Sequence, residues 1–308
     1  MRRTFKRRKS LVEAVRGVDL RVAEGEIFGF LGPNGAGKTT TLRMLSTLLP
    51  PTSGSATVAG HDLLKDARGV RLEIGYVSQV GSTFPEVAGR DELVMQGRLY
   101  GMSAAAAAQR ARDVLGTLEL DDCADRPTKT YSGGQKRRLD VGIGLMHKPR
   151  LLFLDEPTTG LDPQSRARMW DEVRRLRAAG TTVFLTTHYL EEADALCDRI
   201  AIIDHGTIVV EGTPDELKRQ VAGDVVVVGL EEADAAAFEL LRHQPYVREA
   251  TQEDGSFRLY VDRGETAMPQ LLRVIDAQGL RLASLSLHRP SLDDVFLRQT
   301  GRSLRDAA

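Results

Sequence analysis

Ile27-Phe28-Gly29-Phe30-Leu31-Gly32-Pro33-Asn34-Gly35-Ala36-Gly37-Lys38-Thr39-Thr40 is the stretch that decides the fold. A short, almost wholly apolar strand runs straight into a glycine loop of the form GxxxxGKT, and Lys38 to Leu48 reads as a helix. Strand, loop and helix together separate a phosphate-binding loop from a glycine-rich turn that binds nothing. Gly35 and Gly37 let the backbone curl so that successive N–H groups point at phosphates. The helix start adds its positive end. Lys38 suits the β- and γ-phosphates, and the Thr39 hydroxyl suits Mg²⁺.

Further motifs follow in a fixed order. Leu151-Leu152-Phe153-Leu154 is an apolar strand that ends in Asp155 and Glu156. Two carboxylates at the mouth of a buried strand are costly unless a cation or a proton-transfer task occupies them. Asp155 would hold Mg²⁺ through water, and Glu156 would polarise an attacking water as general base. The bland reading is a solvated strand end. Gln79 follows Ile74-Gly75-Tyr76-Val77-Ser78 and would reach Mg²⁺ and the attacking water from a loop that can move. Ser132-Gly133-Gly134-Gln135 opens a helix and so is a second anion site. Lys38 and Asp155 already surround the phosphates of their own site, so this helix end makes sense if it closes over the nucleotide of another subunit. Gly160-Leu161-Asp162 and His188 come later, and Phe5 sits well upstream. His61, His147, His205, His243 and His288 fit no motif and read as structural.

In this order the motifs resemble the ATP-binding subunit of an ABC transporter, over about residues 1–220. The resemblance implies a P-loop NTPase cassette of α/β class: a RecA-like core with antiparallel β and helical subdomains, the latter over about 80–147. It implies that the loop from Gly32 through Thr40, together with Asp162, contacts ATP, and that Thr39, Gln79 and Asp155 hold Mg²⁺. Ser132, Gly133, Gly134 and Gln135 would meet the ATP of a second copy in a head-to-tail dimer. His188 matches the switch histidine that contacts the γ-phosphate and the catalytic carboxylate. Phe5 matches the adenine-stacking aromatic; an ordinary apolar anchor is the equal alternative. Similar cassettes carry a complete strand before this aromatic, whereas this chain starts four residues ahead of it. Either the start lies upstream of Met1 or the edge of the small sheet is shortened.

The run from Tyr131 to Asp140 and the tail Leu292-Asp293-Asp294-Val295-Phe296-Leu297 resemble the daunorubicin/doxorubicin-resistance type of these subunits. Tyr131 stands where leucine is usual. Members of that type pair with a separate membrane permease and drive export of drugs or other amphipathic compounds. The expected place is therefore the cytoplasmic side of the membrane, peripheral and held by the permease. A surface for that permease is expected between Gln79 and about Tyr100. Phe84, Pro85 and Leu93 would line a groove there, with Arg90 and Asp91 at its rim, unless they only pack the helical subdomain. A soluble ABC-type ATPase of translation or DNA is the alternative function. The chain has one cassette, no CxxC and no heptad run, which speaks against it.

Composition sets the outer limits. The chain has 308 residues, enough for a large domain and a smaller one, and its net charge of −1 gives no basic excess for nucleic acid. No run approaches the ~18 apolar residues of a membrane span. The basic start has no apolar segment behind it, so no signal peptide is expected. Two distant cysteines, Cys123 and Cys197, fit a reducing compartment. Arginine far outnumbers lysine and alanine is abundant, as in a GC-rich bacterial genome.

Residues 11–22 alternate as a half-buried strand, and strands near 182–186 and 200–204 alternate with helices in the rhythm of a parallel sheet. The cassette is read as 1–221, and 222–308 as an accessory domain that supports dimer contacts or permease pairing. Its elements spell βαββαβ, a ferredoxin-like α+β domain, with a turn at Asp254-Gly255 and Pro290-Ser291 capping a last helix.

Overall fold

The computed structural model describes residues 1–7, 10–221, 223–231, 235–253, 256–289 and 291–300. The chain divides into two units between Thr213 and Pro214.

The first unit opens with a hairpin of β1 (Arg3–Arg7) and β2 (Ser10–Val15), with Phe5 opposite Val12. The ladder stops at Val15 instead of running to residue 22. Arg16 N–H goes to Gly206 O and Val18 N–H to Met1 O, at 2.8 and 3.0 Å, so the hairpin loses its backbone donors there. β3 (Ile27–Leu31) is buried at every position and leads into α1 (Lys38–Leu45). The helix ends three residues before Leu48, where Thr47 takes a positive φ of 64°. A ribbon of β4 (Thr57–Val58) and β5 (His61–Asp62) leads to α2 (Ala67–Glu73) and β6 (Ile74–Val77). The helical stretch holds α3 (Gly89–Leu99), α4 (Ala104–Thr117) and α5 (Gly133–Leu145). Ser103 caps α4, accepting the Ala106 N–H at 3.2 Å. β7 (Leu151–Asp155), α6 (Pro163–Ala178), β8 (Thr182–Thr187), α7 (Leu190–Leu196), β9 (Arg199–Asp204) and β10 (Thr207–Gly212) complete the unit.

Six strands form one sheet in the order β10-β9-β3-β8-β7-β6. All pairs are parallel except β9 with β10. Since β8 lies between β3 and β7, their C-terminal ends open side by side. The glycine loop leaves β3, Asp155 ends β7, and His188 follows β8. Ligands of open α/β sheets sit at this end of the strands. Beneath, Phe184 packs on Phe28, Phe30 and Phe153 with centroids 5.4, 5.7 and 5.6 Å away. Such tilted aromatic packing anchors the three strands that carry the site.

The second unit begins with α8 (Pro214–Val221), which lies beside α11 (Leu292–Thr300). That pairing is why the division falls before Pro214, although the sequence reads α8 as part of the cassette. Between them come β11 (Asp224–Leu230), α9 (Ala235–Arg242), β12 (Val247–Glu253), β13 (Ser256–Val261), α10 (Gly264–Ala277) and β14 (Leu282–His288). The sheet order β12-β13-β11-β14, antiparallel throughout, is the ferredoxin-like arrangement expected of βαββαβ. Val226, Val228, Phe257 and Leu259 pack against Leu241, Leu271 and Ile275 of the helices. The Asp254-Gly255 turn and Pro290 lie outside the described residues. Among the described residues no helix is long and apolar enough to cross a membrane.

Candidate functional site

The glycine loop passes too close to its surroundings for side chains at two positions. A Cβ on Gly32 would lie 2.3 Å from Ile203 O, and one on Gly37 would lie 2.6 Å from Ala14 O. Gly37 also has φ 108°, which L side chains rarely adopt. Asn34 and Gly35 are exposed at the loop's crest, Pro33 and Ala36 are buried, and Thr39 and Thr40 are half-buried. Lys38 Nζ donates to Gly32 O at 2.7 Å and Pro33 O at 3.1 Å, and lies 3.3 Å from Glu156 Oε1. Burial pushes the Lys38 pKa down, against the Glu156 carboxylate, which raises it.

Thr39 Oγ1 and Thr186 Oγ1 both donate to Asp155 Oδ1, at 3.1 and 2.7 Å. The next residue, Glu156, takes φ 47°. Such left-handed backbone costs a non-glycine residue about 1–3 kcal/mol and persists only where surroundings enforce it. Here the Glu156 N–H is held by Thr186 O at 3.1 Å and Thr186 Oγ1 at 3.0 Å. The turn aims the carboxylate into a ring of donors. Gln79 Nε2 donates to Oε2 at 2.9 Å, Thr159 Oγ1 donates to it at 3.3 Å, and His188 Nδ1 lies 3.2 Å from it. Burial alone would raise the Glu156 pKa. The proximity of His188 and the Lys38 charge outweigh that and hold it at about 2.

One residue with no role in the sequence reading holds this turn from behind. Arg137, on α5 and 7% exposed, donates to Pro157 O, Asp155 O and Glu156 O at 2.8, 2.9 and 3.3 Å, and to Ser78 O at 2.5 Å. Glu192 braces the far side, accepting from Thr158 Oγ1 at 2.8 Å and Trp170 Nε1 at 3.1 Å. Two arginines in a row after the serine–glycine motif were the available signal for Arg137. An arginine on a helix usually reads as solvated.

Lys38, Thr39, Gln79, Asp155, Glu156 and His188 thus meet at one place. Ser132 to Gln135 stand elsewhere, as an exposed or half-exposed helix start closed on itself. Ser132 Oγ accepts the Gln135 N–H at 3.2 Å, and Gln135 Oε1 accepts the Ser132 N–H at 2.9 Å, a capping box. A Cβ on Gly134 would lie 2.7 Å from Ser165 Oγ, so α5 starts against α6. Exposed Asp162 caps α6, accepting from Ser165 N at 2.9 Å and Oγ at 2.6 Å. Those bonds hold its pKa down. Phe5 sits on the short β1 with the Arg3 guanidinium 4.7 Å over its ring. Tyr131 is buried with its hydroxyl donating to Cys123 O at 2.7 Å, away from the helix start it precedes. On the expected partner surface, Phe84 is 55% exposed, whereas Leu93 is fully buried. Arg90 is tied to Asp125 at 2.6 and 3.1 Å. Leu93 therefore packs the helical subdomain and lines no groove, because α3 turns that position inward.

The ABC transporter family model matches residues 15–159, and the model described as ATP-binding protein DrrA1-3-like, C-terminal domain, matches 212–300. The chain is 46% identical over 96% of its length, and 94% of the relative's, to daunorubicin resistance ATP-binding protein DrrA3 of Streptomyces coeruleorubidus. It is 39% identical to linearmycin resistance ATP-binding protein LnrL of Bacillus subtilis, over 95% of both chains. It is 40% identical to Nod factor export ATP-binding protein I of Burkholderia lata, over 95% of this chain and 93% of that one. A dimeric ATP-binding cassette in a post-hydrolysis state with ADP and phosphate superimposes with TM-score 0.63 at 26% identity, covering 69% of this chain and 95% of that one. Relatives named for resistance and export disfavour the alternative of a translation or DNA ATPase. With the glycine loop, the Asp155–Glu156 strand and the ferredoxin-like tail all matched, the chain belongs to the ABC transporter ATP-binding proteins, in their daunorubicin/doxorubicin-resistance type.

Proposed function

We propose that this ATPase hydrolyses MgATP with Glu156 as general base, and that the work drives export of drugs or other amphipathic compounds through a separate membrane permease. The observation that carries the chemistry is the convergence of Lys38, Gln79, Thr159 and His188 on the Glu156 carboxylate, one residue from Asp155. Names of relatives for daunorubicin resistance, linearmycin resistance and Nod factor export support the export role.

The donor set fits Mg²⁺. The Thr39 hydroxyl and the Asp155 carboxylate lie 3.1 Å apart, and with the Gln79 amide oxygen they are the hard oxygen ligands this ion takes. Bound there, Mg²⁺ would neutralise oxygens of the β- and γ-phosphates. The chain's own groups do the rest. Loop N–H groups and the α1 start cradle the phosphates, from Gly32 to Thr40. Lys38 exchanges the loop carbonyls and Glu156 for phosphate oxygens. Glu156 then takes a proton from water that Gln79 orients, while His188 bridges the carboxylate and the γ-phosphate. Phe5 offers a ring for adenine beside the Arg3 guanidinium.

Ser132, Gly133, Gly134 and Gln135, on an exposed to half-exposed helix start where the Ser132 and Gln135 side chains bond each other's backbone N–H rather than the Glu156 carboxylate, suit the ATP of a second copy in a head-to-tail sandwich. Asp162 lies at the same end of α6 and belongs to that closure. A structural neighbour that is itself a dimer supports this arrangement. Supported by the export names, we place the chain on the cytoplasmic side of the membrane, held there by the permease. The second unit serves dimer contacts or permease pairing.

Glu156→Gln tests the core of this reading. It should still bind MgATP, lose phosphate release, and double in mass with ATP by light scattering. Turnover near the parent's would overturn the assignment of the base.

A further inference from the structure

Gln79 and Glu156 are held by a common frame. The segment Ser78–Ser82 is tied to α5 at both ends. At its start, Ser78 O accepts from Arg137 Nη1 at 2.5 Å. At its finish, Asp140 Oδ1 accepts from Ser82 N at 2.8 Å and Ser82 Oγ at 3.0 Å. Between them Gly81 has φ 81°, and a Cβ there would approach Asp140 Oδ2 to 3.0 Å. Arg137 and Asp140 are three residues apart, hence on one helix face, and their nearest charged atoms are 4.0 Å apart. From the same guanidinium, Nε and Nη2 reach Pro157 O, Asp155 O and Glu156 O at 2.8, 2.9 and 3.3 Å. The arginine is buried, and its closest partners are fixed backbone carbonyls of two separate loops rather than a mobile carboxylate. Its rigid five-donor fork suits that task, and the three donors of lysine on one nitrogen do not span it.

The N-cap of the same helix is Ser132. About one and a half helical turns separate Ser132 from Arg137. A displacement of the helix start must therefore move the guanidinium and carboxylate that grip both loops.

We propose that Arg137 and Asp140 are positioning residues which fasten the Gln79 segment and the Glu156 turn to the helix that starts at Ser132, so that seating of that helix on a second copy's ATP sets the water-activating groups of its own chain. The inference rests on Glu156 and Gln79 acting on water. Neither Arg137 nor Asp140 reaches Lys38 or the glycine loop, so the clamp acts on turnover rather than on ATP binding.

The full chain, as parent, Arg137→Gln, Arg137→Lys, Asp140→Ala and Glu156→Gln, is assayed for MgATP affinity, kcat, KM and melting temperature. Arg137→Gln should lower kcat by about 10–100-fold, the loss expected of a misplacement near 1 Å, with affinity within about threefold. Arg137→Lys should recover part of the rate, and Asp140→Ala should lose less. The double variant Arg137→Gln/Glu156→Gln should be no slower than Glu156→Gln alone, because residues acting as one unit are not additive. An unchanged kcat in Arg137→Gln overturns the proposal. So does a kcat and affinity that fall in step with melting temperature, or a double variant slowed by the product of the two losses. If Arg137→Gln does not fold, Arg137→Lys and Asp140→Ala are judged by the same criteria. Retained turnover in Glu156→Gln would refute the base assignment instead, which separates the two failures.

Discussion

Lys38 Nζ lies 3.3 Å from Glu156 Oε1, with the two side chains only 4% and 6% exposed. The cation and the carboxylate to which we assign phosphate and water are thus each other's buried partners. A carboxylate held at about 2 is a poor proton acceptor. If Lys38 serves phosphate as proposed, its departure would remove a charge that depresses the Glu156 pKa, and the carboxylate would become more basic.

Lys38→Ala separates these two tasks. ATP affinity should fall by at least tenfold in a binding titration. Stability should also fall, because the change leaves a buried carboxylate short of a partner. Breaking such a pair costs up to about 3–5 kcal/mol, and Gln79, Thr159 and His188 remain on the carboxylate, so roughly 3 kcal/mol or less is expected. The folded pKa of Glu156 is depressed from 4.5 to about 2. Its stabilisation is therefore present above about pH 4.5 and is lost as pH falls towards 2. The melting gap between parent and variant should be widest at neutral pH and shrink below 4.5. A gap that widened with acid would contradict the pairing.

The parallel sheet and glycine loop were legible because their signals are local: an apolar strand, the spacing of Gly32, Gly37 and Lys38, and carboxylates closing a second strand. Convergence was legible only through the resemblance, since Gln79, Glu156 and His188 are brought together by the strand order β3-β8-β7-β6, which no short window contains. Arg137 was missed because its partners are carbonyls, which every residue carries, so no pattern of residue types marks it. The early end of β2 was missed for a related reason. Its alternation continues to residue 22, but Arg16 and Val18 give their N–H groups to Gly206 and Met1. Leu93 looked available for a partner because a helix's inward face is set by its neighbours.

Ser132→Arg addresses the dimer. Ser132 is exposed and its hydroxyl accepts from Gln135 N, within its own helix start, so a larger cation there should leave the Lys38 cluster intact. Loss of a helix N-cap costs about 1 kcal/mol, which a domain of this size survives. In a Glu156→Gln background the added arginine should abolish the ATP-dependent rise in mass while ATP affinity stays within about threefold of the parent. Light scattering that still reported a dimer would remove Ser132 from the interface.

Glu92 offers a pH test of the segment that follows Gln79. It is 2% exposed and accepts the Phe84 N–H at 2.7 Å. Burial pushes its pKa up to about 7, against that hydrogen bond, which lowers it. A carboxyl with a raised folded pKa contributes its stability below the unfolded value of 4.5 and loses it as pH rises through about 7. Glu92→Gln keeps an acceptor for Phe84 without the charge. Its melting temperature should equal or slightly trail the parent's at pH 5 and exceed it at pH 8.5. A constant offset across that range would show that Glu92 does not carry a raised pKa.

The permease surface is the last test, and burial now selects its residues. Val80, Phe84 and Leu99 are 93%, 55% and 74% exposed, around the segment and helix that follow Gln79. Exposed apolar side chains are candidates for partner contact where they form a patch. Ser78 and Ser82, which bracket Val80, are gripped by Arg137 and Asp140, so Val80 sits on the frame that holds Gln79. Both native cysteines, Cys123 and Cys197, are buried, which leaves introduced thiols as the reactive ones. Cysteines placed at 80, 84 or 99 should cross-link to cytoplasmic loops of the co-expressed permease, with a yield that changes on adding ATP to the Glu156→Gln variant. Cysteine at buried 93 should not. Cross-links confined to residues beyond Pro214, or a yield indifferent to ATP, would move the coupling surface elsewhere on the chain.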